Sequence, residues 1–410
     1  MPSRRSFAKI VAGLAAAQSG PVRLAAAAAG PVRIKNIDIF PIEIPSSREE
    51  LEMGRYARYT FYEVETDAGV RGYAFDRGTE YRLLERVIRP ALAGQDLFAI
   101  ERHLKAGLDQ WGGLEEALWD AIGKVARQPV SRLLGGSETR LKVYLTCIWR
   151  GKSDQSEVSY REQADWALKI QKAGFKGMKI RAWRPDVLND AEACGEIRAA
   201  VGPDFAIMID RNVGPAGIPL DYPTALALAR ALQKHNVGWL EEPFSRDDFF
   251  SPARLARETG LAISGGERYH GLDPYRECLV HETYGILQPD VAMSGGILTV
   301  RKIAALAEAF HKPVTMHGSM GLRLAGWLQT SAAIGAQWQE LALITPPLMP
   351  EEQWDPALKV LNSGTLFTLR DGYIEVPQGP GLGLDVNREA VSRYRIPESP
   401  ARNFYPQYPG

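Results

Sequence analysis

Met178-Lys179-Ile180-Arg181, Ile209-Asp210-Arg211-Asn212, Leu240-Glu241-Glu242-Pro243 and Gly265-Gly266-Glu267 are four short runs, each carrying an ionisable residue where an apolar stretch stops. Three more follow: Gln288-Pro289-Asp290, His317 after Pro313-Val314-Thr315-Met316, and Glu340 closing Gln337-Trp338-Gln339-Glu340. The seven ionisable residues are 23 to 31 positions apart. That is the length of one strand, one helix and two short loops. A ring of strand–helix units brings its strand ends to one mouth however distant they are in sequence. Three carboxylates, a lysine and a histidine with an Asp partner then share a cavity, the makings of a metal-assisted acid–base site.

The flanking sequence fits this reading. Helical stretches at 159–173, 191–201, 222–235 and 298–310 separate the short strands, and strands alternating with helices imply a parallel sheet. Eight strand candidates, from Val143 to about Ile344, suggest a closed (β/α)7–8 TIM-like barrel. An open doubly wound sheet is the alternative, but no Gly-rich phosphate loop follows an early strand. Before the barrel, 34–40 and 60–66 are rich in β-branched and aromatic residues, and Asp67-Ala68-Gly69 reads as a hairpin turn into 70–74. Residues 46–54 read as a loop, and 81–92 and 113–126 as amphipathic helices. The expected organisation is an α+β capping unit at 31–137, a barrel at 138–350, and an irregular Pro- and Gly-rich tail at 351–410 packing back on the cap.

A chain of 410 residues has room for a barrel of roughly 250 plus a smaller domain. Its 45% hydrophobic and 24% charged content suits a soluble core. Lys plus Arg equals Asp plus Glu, 49 against 49, so no basic surplus marks a nucleic-acid or anionic-membrane partner. Cys147, Cys194 and Cys278 are too few and too scattered for a disulfide framework or a CxxC zinc site. At the start, Arg4-Arg5, the apolar run 10–17 and an Ala-rich tract to Ala29 have the order of a twin-arginine export signal. That run falls far short of the ~20 residues of a membrane span. Residues 1–30 are therefore expected to direct export to the periplasm; a plain Ala-rich leader is the alternative.

In a strand, residues i and i+2 share a face, so Lys179 and Arg181 point the same way and offer two cations to an anionic ligand. Asp210, Glu241 and Glu267, from consecutive units, repel one another unless a cation holds them. With no His or Cys in the trio, the donors suit Mg²⁺ or Mn²⁺ better than zinc. Asp290, ending the strand before His317, can fix the imidazole tautomer and raise the basicity of its other nitrogen. His103, His235, His270, His281 and His311 show no such partner. Apolar neighbours are expected to raise the pKa of Glu340 and make it a donor to a developing oxyanion. Trp183 and Arg184 either line the pocket or begin the following loop.

Several motifs together resemble the enolase superfamily, in its mandelate racemase/muconate lactonizing enzyme-like branch. They are Ala117-Leu118-Trp119-Asp120, Gly123-Lys124, Pro129-Val130 leading to Leu133-Leu134-Gly135-Gly136, the Lys-x-Arg strand, Asp-x-Asn, Leu-Glu-Glu-Pro, Gly-Gly-Glu, Gln-Pro-Asp with Gly295-Gly296 beyond, and Pro380-Gly381-Leu382-Gly383-Leu384. The resemblance spans residues 32–387. It implies Mg²⁺ on Asp210, Glu241 and Glu267, His317 with Asp290 as general base, and Glu340 hydrogen-bonded to the enolate. It also implies a capping loop, at 46–59, that closes over the substrate, and substrate contacts from Arg181, Asn212 and Trp183. One departure matters. The family's second lysine is Arg181 here, and arginine is a poor base but a good bidentate clamp.

The expected function is Mg²⁺-dependent removal of the proton α to a carboxylate, followed by loss of the neighbouring hydroxyl: dehydration of an acid sugar. A racemase or epimerase with Lys179 as second base is the alternative, and a non-catalytic carboxylate-binding protein a second. The partner is a small-molecule carboxylate, and a homo-oligomer is expected.

Overall fold

The computed structural model describes residues 30–47, 58–149, 158–211 and 219–397. Three antiparallel strands, β1 (Ile34–Glu43), β2 (Arg58–Thr66) and β3 (Arg71–Asp76), form the sheet of the cap. The expected turn joins β2 to β3, with Gly69 at φ +75°. Helix α1 (Gly112–Ala126) lies across this sheet so closely that a Cβ on Gly72 would stand 2.1 Å from the carbonyl oxygen of Ala117. Residues 112–123 are all buried, because the cap sheet covers one side of α1 and the barrel the other. The sequence expected an amphipathic helix there; the wet face is covered by the second unit. The winding expected at 81–92 is present but changes pitch, from a 3₁₀ turn (Glu80–Leu83) through a π turn (Leu84–Ile88) to one α turn (Arg89–Leu92).

The barrel has eight parallel strands: β4 (Arg140–Cys147), β5 (Gly177–Arg181), β6 (Ala206–Asp210), β7 (Leu240–Glu241), β8 (Ile263–Gly265), β9 (Ile286–Leu287), β10 (Met316–Ser319) and β11 (Gln339–Ile344). β11 pairs with β4, and a parallel bridge between Leu287 and Val314 closes the ring. Tyr144, Met208 and Trp239 plug the interior, with the Tyr144 and Trp239 rings edge-on at 5.5 Å. The first barrel helix, α2 (Tyr160–Lys172), opens on a capping box in which Ser159 and Glu162 satisfy each other's backbone N–H.

Several of the signature motifs turn out to be joints. Asp120 accepts from the backbone N–H of Tyr73 at 2.7 Å and of Leu382 at 2.8 Å, tying β3, α1 and the tail together. Gly123 lets Gly381 approach: a Cβ there would be 2.5 Å from the Gly381 Cα. Glu115 accepts from the N–H groups of Ile297 and Leu298 at 2.6 and 3.1 Å, capping a barrel helix (Ile297–Ala309) from the other unit. The tail is shared between the two units. A short strand, β12 (Tyr373–Glu375), pairs antiparallel with the start of β4, whereas a helix at Arg388–Arg393 sits against the cap, with Glu43 N–H bonded to Tyr394 O at 2.9 Å. All three cysteines are free and buried. Among the described residues no helix is long and apolar enough to cross a membrane.

Candidate active site

β5 to β7 present their ionisable residues in adjacent register: Arg181 pairs with Asp210 across β5–β6, and Asp210 with Glu241 across β6–β7, while Glu267 follows the end of β8. Lys179, Asp210, Glu241, Glu267, Asp290 and Glu340 are all buried to within 3%. Burying so many charges is tolerable only where they compensate one another. Lys179 Nζ lies 2.8 Å from Glu241 Oε2, 2.9 Å from Glu340 Oε1 and 4.0 Å from Asp210 Oδ2. Arg181 Nη1 lies 2.5 Å from Asp210 Oδ2. His317 sits between two carboxylates, with Nδ1 2.7 Å from Asp290 Oδ2 and Nε2 3.1 Å from Glu267 Oε2. The seven residues singled out by spacing therefore meet at one mouth.

The electrostatics follow from this crowding. Burial pushes Glu241 up to about 8 against the pull of Lys179, and Asp210, Glu340 and Glu267 add to the push. Burial likewise raises Asp210, although Arg181 and Lys179 oppose it. Burial disfavours a charged His317, yet Glu267 and then Asp290 outweigh it and carry the imidazole up to about 10. Burial would raise Glu267 too, but His317, Arg181 and Lys179 hold it down at about 2.

These carboxylates fit a hard divalent cation. Among the described residues nothing donates to the buried Asp210 Oδ1, and Asp210 and Glu241, adjacent in register, keep raised pKa values despite their cationic neighbours. Among the described residues no three His, Cys, Asp or Glu side chains close on one point as they stand. Each of the trio leans on its own partner, Arg181, Lys179 or His317. The adjacent register of Asp210 and Glu241 and the orphaned Asp210 oxygen are what fit the ion.

Two expectations need correction, for Glu340 and His270, and one open choice is decided, for Arg184. Glu340 is not a raised-pKa donor. Burial would raise it, but Lys179, His317 and Thr146 hold it below the usual range. It accepts from Lys179, from the Gly318 N–H at 2.8 Å, from Tyr144 OH at 3.1 Å and from the Thr146 hydroxyl. Arg184 does not line the pocket. It is buried behind β5, bound to Asp190 at 2.8 Å, Val158 O at 2.7 Å and Gln163 at 3.2 Å. His270 has partners after all: Asp109 at 2.9 Å, Gln110 at 2.8 Å and Met293 O at 3.0 Å. In addition, Glu340 and His317 lie near the starts of β11 and β10 rather than at strand ends.

Trp183 is half-buried beside Arg181, whose guanidinium carbon is 5.5 Å from the ring centroid, and its indole N–H has no partner among the described residues. Asn212 and most of the expected capping loop (48–57) lie outside the described residues. Sequence reasoning missed the outer layer. Gln288 donates to Glu241 at 2.8 Å, and Arg246 spans Glu242 at 2.7 Å and Glu267 at 3.4 Å. The i, i+4 spacing of Glu242 and Arg246 and the i, i+2 spacing of Tyr144 and Thr146 were the available signals.

A capped parallel barrel with carboxylates, cations and a carboxylate-held histidine at one mouth defines the class: an α/β barrel built for acid–base work beside a divalent ion. Residues 161–390 match the family model described as Enolase C-terminal domain-like, and the chain belongs to the enolase superfamily, in its mandelate racemase/muconate lactonizing branch. It is 29% identical over 352 residues to an arabinonate dehydratase of Saccharolobus solfataricus, covering 81% of this chain and 89% of that one. It is 34% identical over 280 residues to a 3,6-anhydro-alpha-L-galactonate cycloisomerase of Streptomyces coelicolor, covering 68% and 70%. Its fold matches the crystal structure of D-glucarate dehydratase from Agrobacterium tumefaciens complexed with magnesium, with a TM-score of 0.76, 25% identity, and coverage of 90% and 100%.

Proposed function

We propose that the protein is a Mg²⁺-dependent acid-sugar dehydratase, a hydro-lyase in which His317 is the only proton-transferring base. The observation that carries this is the asymmetry of the mouth. His317 is held at Nδ1 by Asp290, 2.7 Å away, while the opposite residues are a permanently charged arginine bonded to Asp210 and a lysine shared by two carboxylates. The dehydratases among the relatives support the reaction class, and the magnesium in the glucarate dehydratase structure supports the ion over Mn²⁺.

Asp210, Glu241 and Glu267 would hold the ion. When bound, Mg²⁺ supplies Lewis-acid polarisation of the substrate carboxylate, which acidifies the neighbouring C–H. The chain's own residues then divide the work. In this structure Glu267 holds Nε2 and keeps the imidazole protonated. With Glu267 committed to the ion that pull would be gone, Asp290 would accept from Nδ1–H, and the neutral imidazole would keep a lone pair at Nε2 to take the α-proton. Lys179, aimed by Glu340 and Glu241, faces the charge that grows on the carboxylate. Arg181 and Trp183 orient the substrate. The C–O bond at the β-carbon breaks, His317 Nε2–H protonates the departing hydroxyl, and the enol so formed tautomerises to a 2-keto acid.

The isomerase reading keeps one support, the cycloisomerase relative. A two-base racemase suits this site less, since Lys179 Nζ is engaged by carboxylates at 2.8 and 2.9 Å. A panel of aldonic and aldaric acids with Mg²⁺, scored for 2-keto acid, tests the proposal. One member should react, and His317→Asn should abolish that reaction. Retention of every activity in His317→Asn would overturn His317 as the base, and absence of 2-keto acid from every member of the panel would favour the carboxylate-binding reading. Export to the periplasm, supported by the twin-arginine pattern of residues 1–30, and a homo-oligomeric state belong to the same proposal.

A further inference from the structure

Four contacts from the cap fall on one short stretch of the barrel, residues 320–327, just after His317. Arg77 Nη2 lies 3.4 Å from Met320 Sδ. The Tyr59 hydroxyl is 2.5 Å from where a Cβ on Gly321 would sit. Arg323 Nε donates to Asp76 Oδ1 at 2.6 Å, and the two side chains are only 11% and 7% exposed. The Glu116 carboxylate presses on Gly326, 2.0 Å from a hypothetical Cβ. The same stretch grips the histidine. Fully buried Trp327 donates its indole N–H to the His317 carbonyl at 2.9 Å, and the Arg323 guanidinium lies over the Trp327 ring, 5.0 Å from its centroid.

We propose that the Asp76–Arg323 ion pair positions His317: seating of the cap on the barrel sets Arg323, Arg323 sets Trp327, and Trp327 fixes the backbone from which the imidazole projects. Generic adhesion between the units needs no such pair. Apolar contact would supply it without the desolvation cost of two buried charges. The planar guanidinium has a narrow geometry, with its Nε–H on Asp76 and its face on Trp327. The imidazole thus has two anchors, its own carboxylates and its backbone carbonyl. Asp76 and Arg323 are positioning residues; they act on the substrate only through His317. The inference rests on the proposed function solely in taking His317 as the base.

The test uses Asp76→Asn, Arg323→Met and the conservative Arg323→Lys in the full-length protein with Mg²⁺. The first readout needs no substrate: carbethoxylation rates of the six histidines with diethyl pyrocarbonate, site by site, by peptide mass spectrometry. We expect His317 to react about fivefold faster in Asp76→Asn and Arg323→Met, with Arg323→Lys in between, as its anchoring loosens locally. His270, in the other cap–barrel contact, stays within about twofold, which separates positioning from general undocking. The second readout is turnover of whichever acid the panel selects: kcat falls roughly 10- to 100-fold with KM nearly unchanged. The inference is overturned if His317 reactivity and kcat both hold while only the unfolding temperature drops, or if His270 accelerates as much as His317. If the parent protein turns over no acid at all, the dehydratase reading fails, and the reactivity readout still decides this one.

Discussion

The two sides of the active-site mouth are built from different chemistry. On one side, His317 lies between Asp290 and Glu267 and can take up and give back a proton. On the other, Lys179 and Arg181 are held by Glu241, Glu340 and Asp210, and their charges stay fixed. The contrast separates two tasks. Proton movement belongs to the imidazole side, and binding and charge stabilisation belong to the cationic side. One movable proton suffices for elimination, whereas inverting a stereocentre by proton transfer through two bases needs a second on the opposite face.

The largest expected effect comes from removing the movable proton. His317→Asn should lower kcat by roughly 10²- to 10⁴-fold, read as 2-keto acid formation, and leave Mg²⁺ binding by calorimetry largely intact. Next is the fixed charge. Arg181→Met strips Asp210 of its 2.5 Å partner and leaves a buried carboxylate exposed to its acidic neighbours. Breaking such a pair costs about 3–5 kcal/mol, so the unfolding temperature in EDTA should drop and added Mg²⁺ should recover most of the loss.

A pH series on the metal-free protein sharpens the imidazole side. The folded pKa of His317 is raised from 6.5 to about 10, so its ion-pair stabilisation is whole below 6.5 and disappears as pH rises through about 10. Glu267 is lowered from 4.5 to about 2, so its share is whole above 4.5 and disappears as pH falls through about 2. His317 moves further because Asp290 and Glu340 add to the pull of Glu267. The difference in unfolding temperature between parent and His317→Asn, in EDTA, should therefore be greatest between pH 4.5 and 6.5. The smallest effect tests the edge of the cationic side. Trp183→Phe keeps the ring and deletes an unpartnered N–H. KM should rise by about fivefold, one hydrogen bond's worth, with kcat nearly unchanged.

What the sequence made legible was the repeat. One ionisable residue per strand–helix unit marks the barrel, and the period brings Lys179, Asp210, Glu241, Glu267, Asp290, His317 and Glu340 to one mouth. What it hid were partners contributed across the closure. Glu340 belongs to the last barrel strand, and the groups that keep it ionised, Lys179, His317 and Thr146, come from three other strands. Apolar neighbours in sequence suggested a raised pKa, and the charges of Lys179 and His317, brought in from other strands, reversed it. His270 was misread for the same reason, since Asp109 reaches it only in the folded chain, and Asp190 likewise decides the place of Arg184, which the sequence left open. The motifs Trp119-Asp120, Gly123 and Gly295-Gly296 pointed to the family, but their physical work is to join cap, barrel and tail.

The most direct test is the fate of the α-proton in D₂O. The reaction is stopped at partial conversion, and both the 2-keto acid and the recovered acid are analysed by NMR. With a single base at His317, the recovered acid keeps its C2 configuration, no C2 epimer forms, and His317→Asn yields neither product nor exchange. Accumulation of a deuterated C2 epimer, or exchange that persists in His317→Asn, would show that the cationic side also moves protons and would contradict the account.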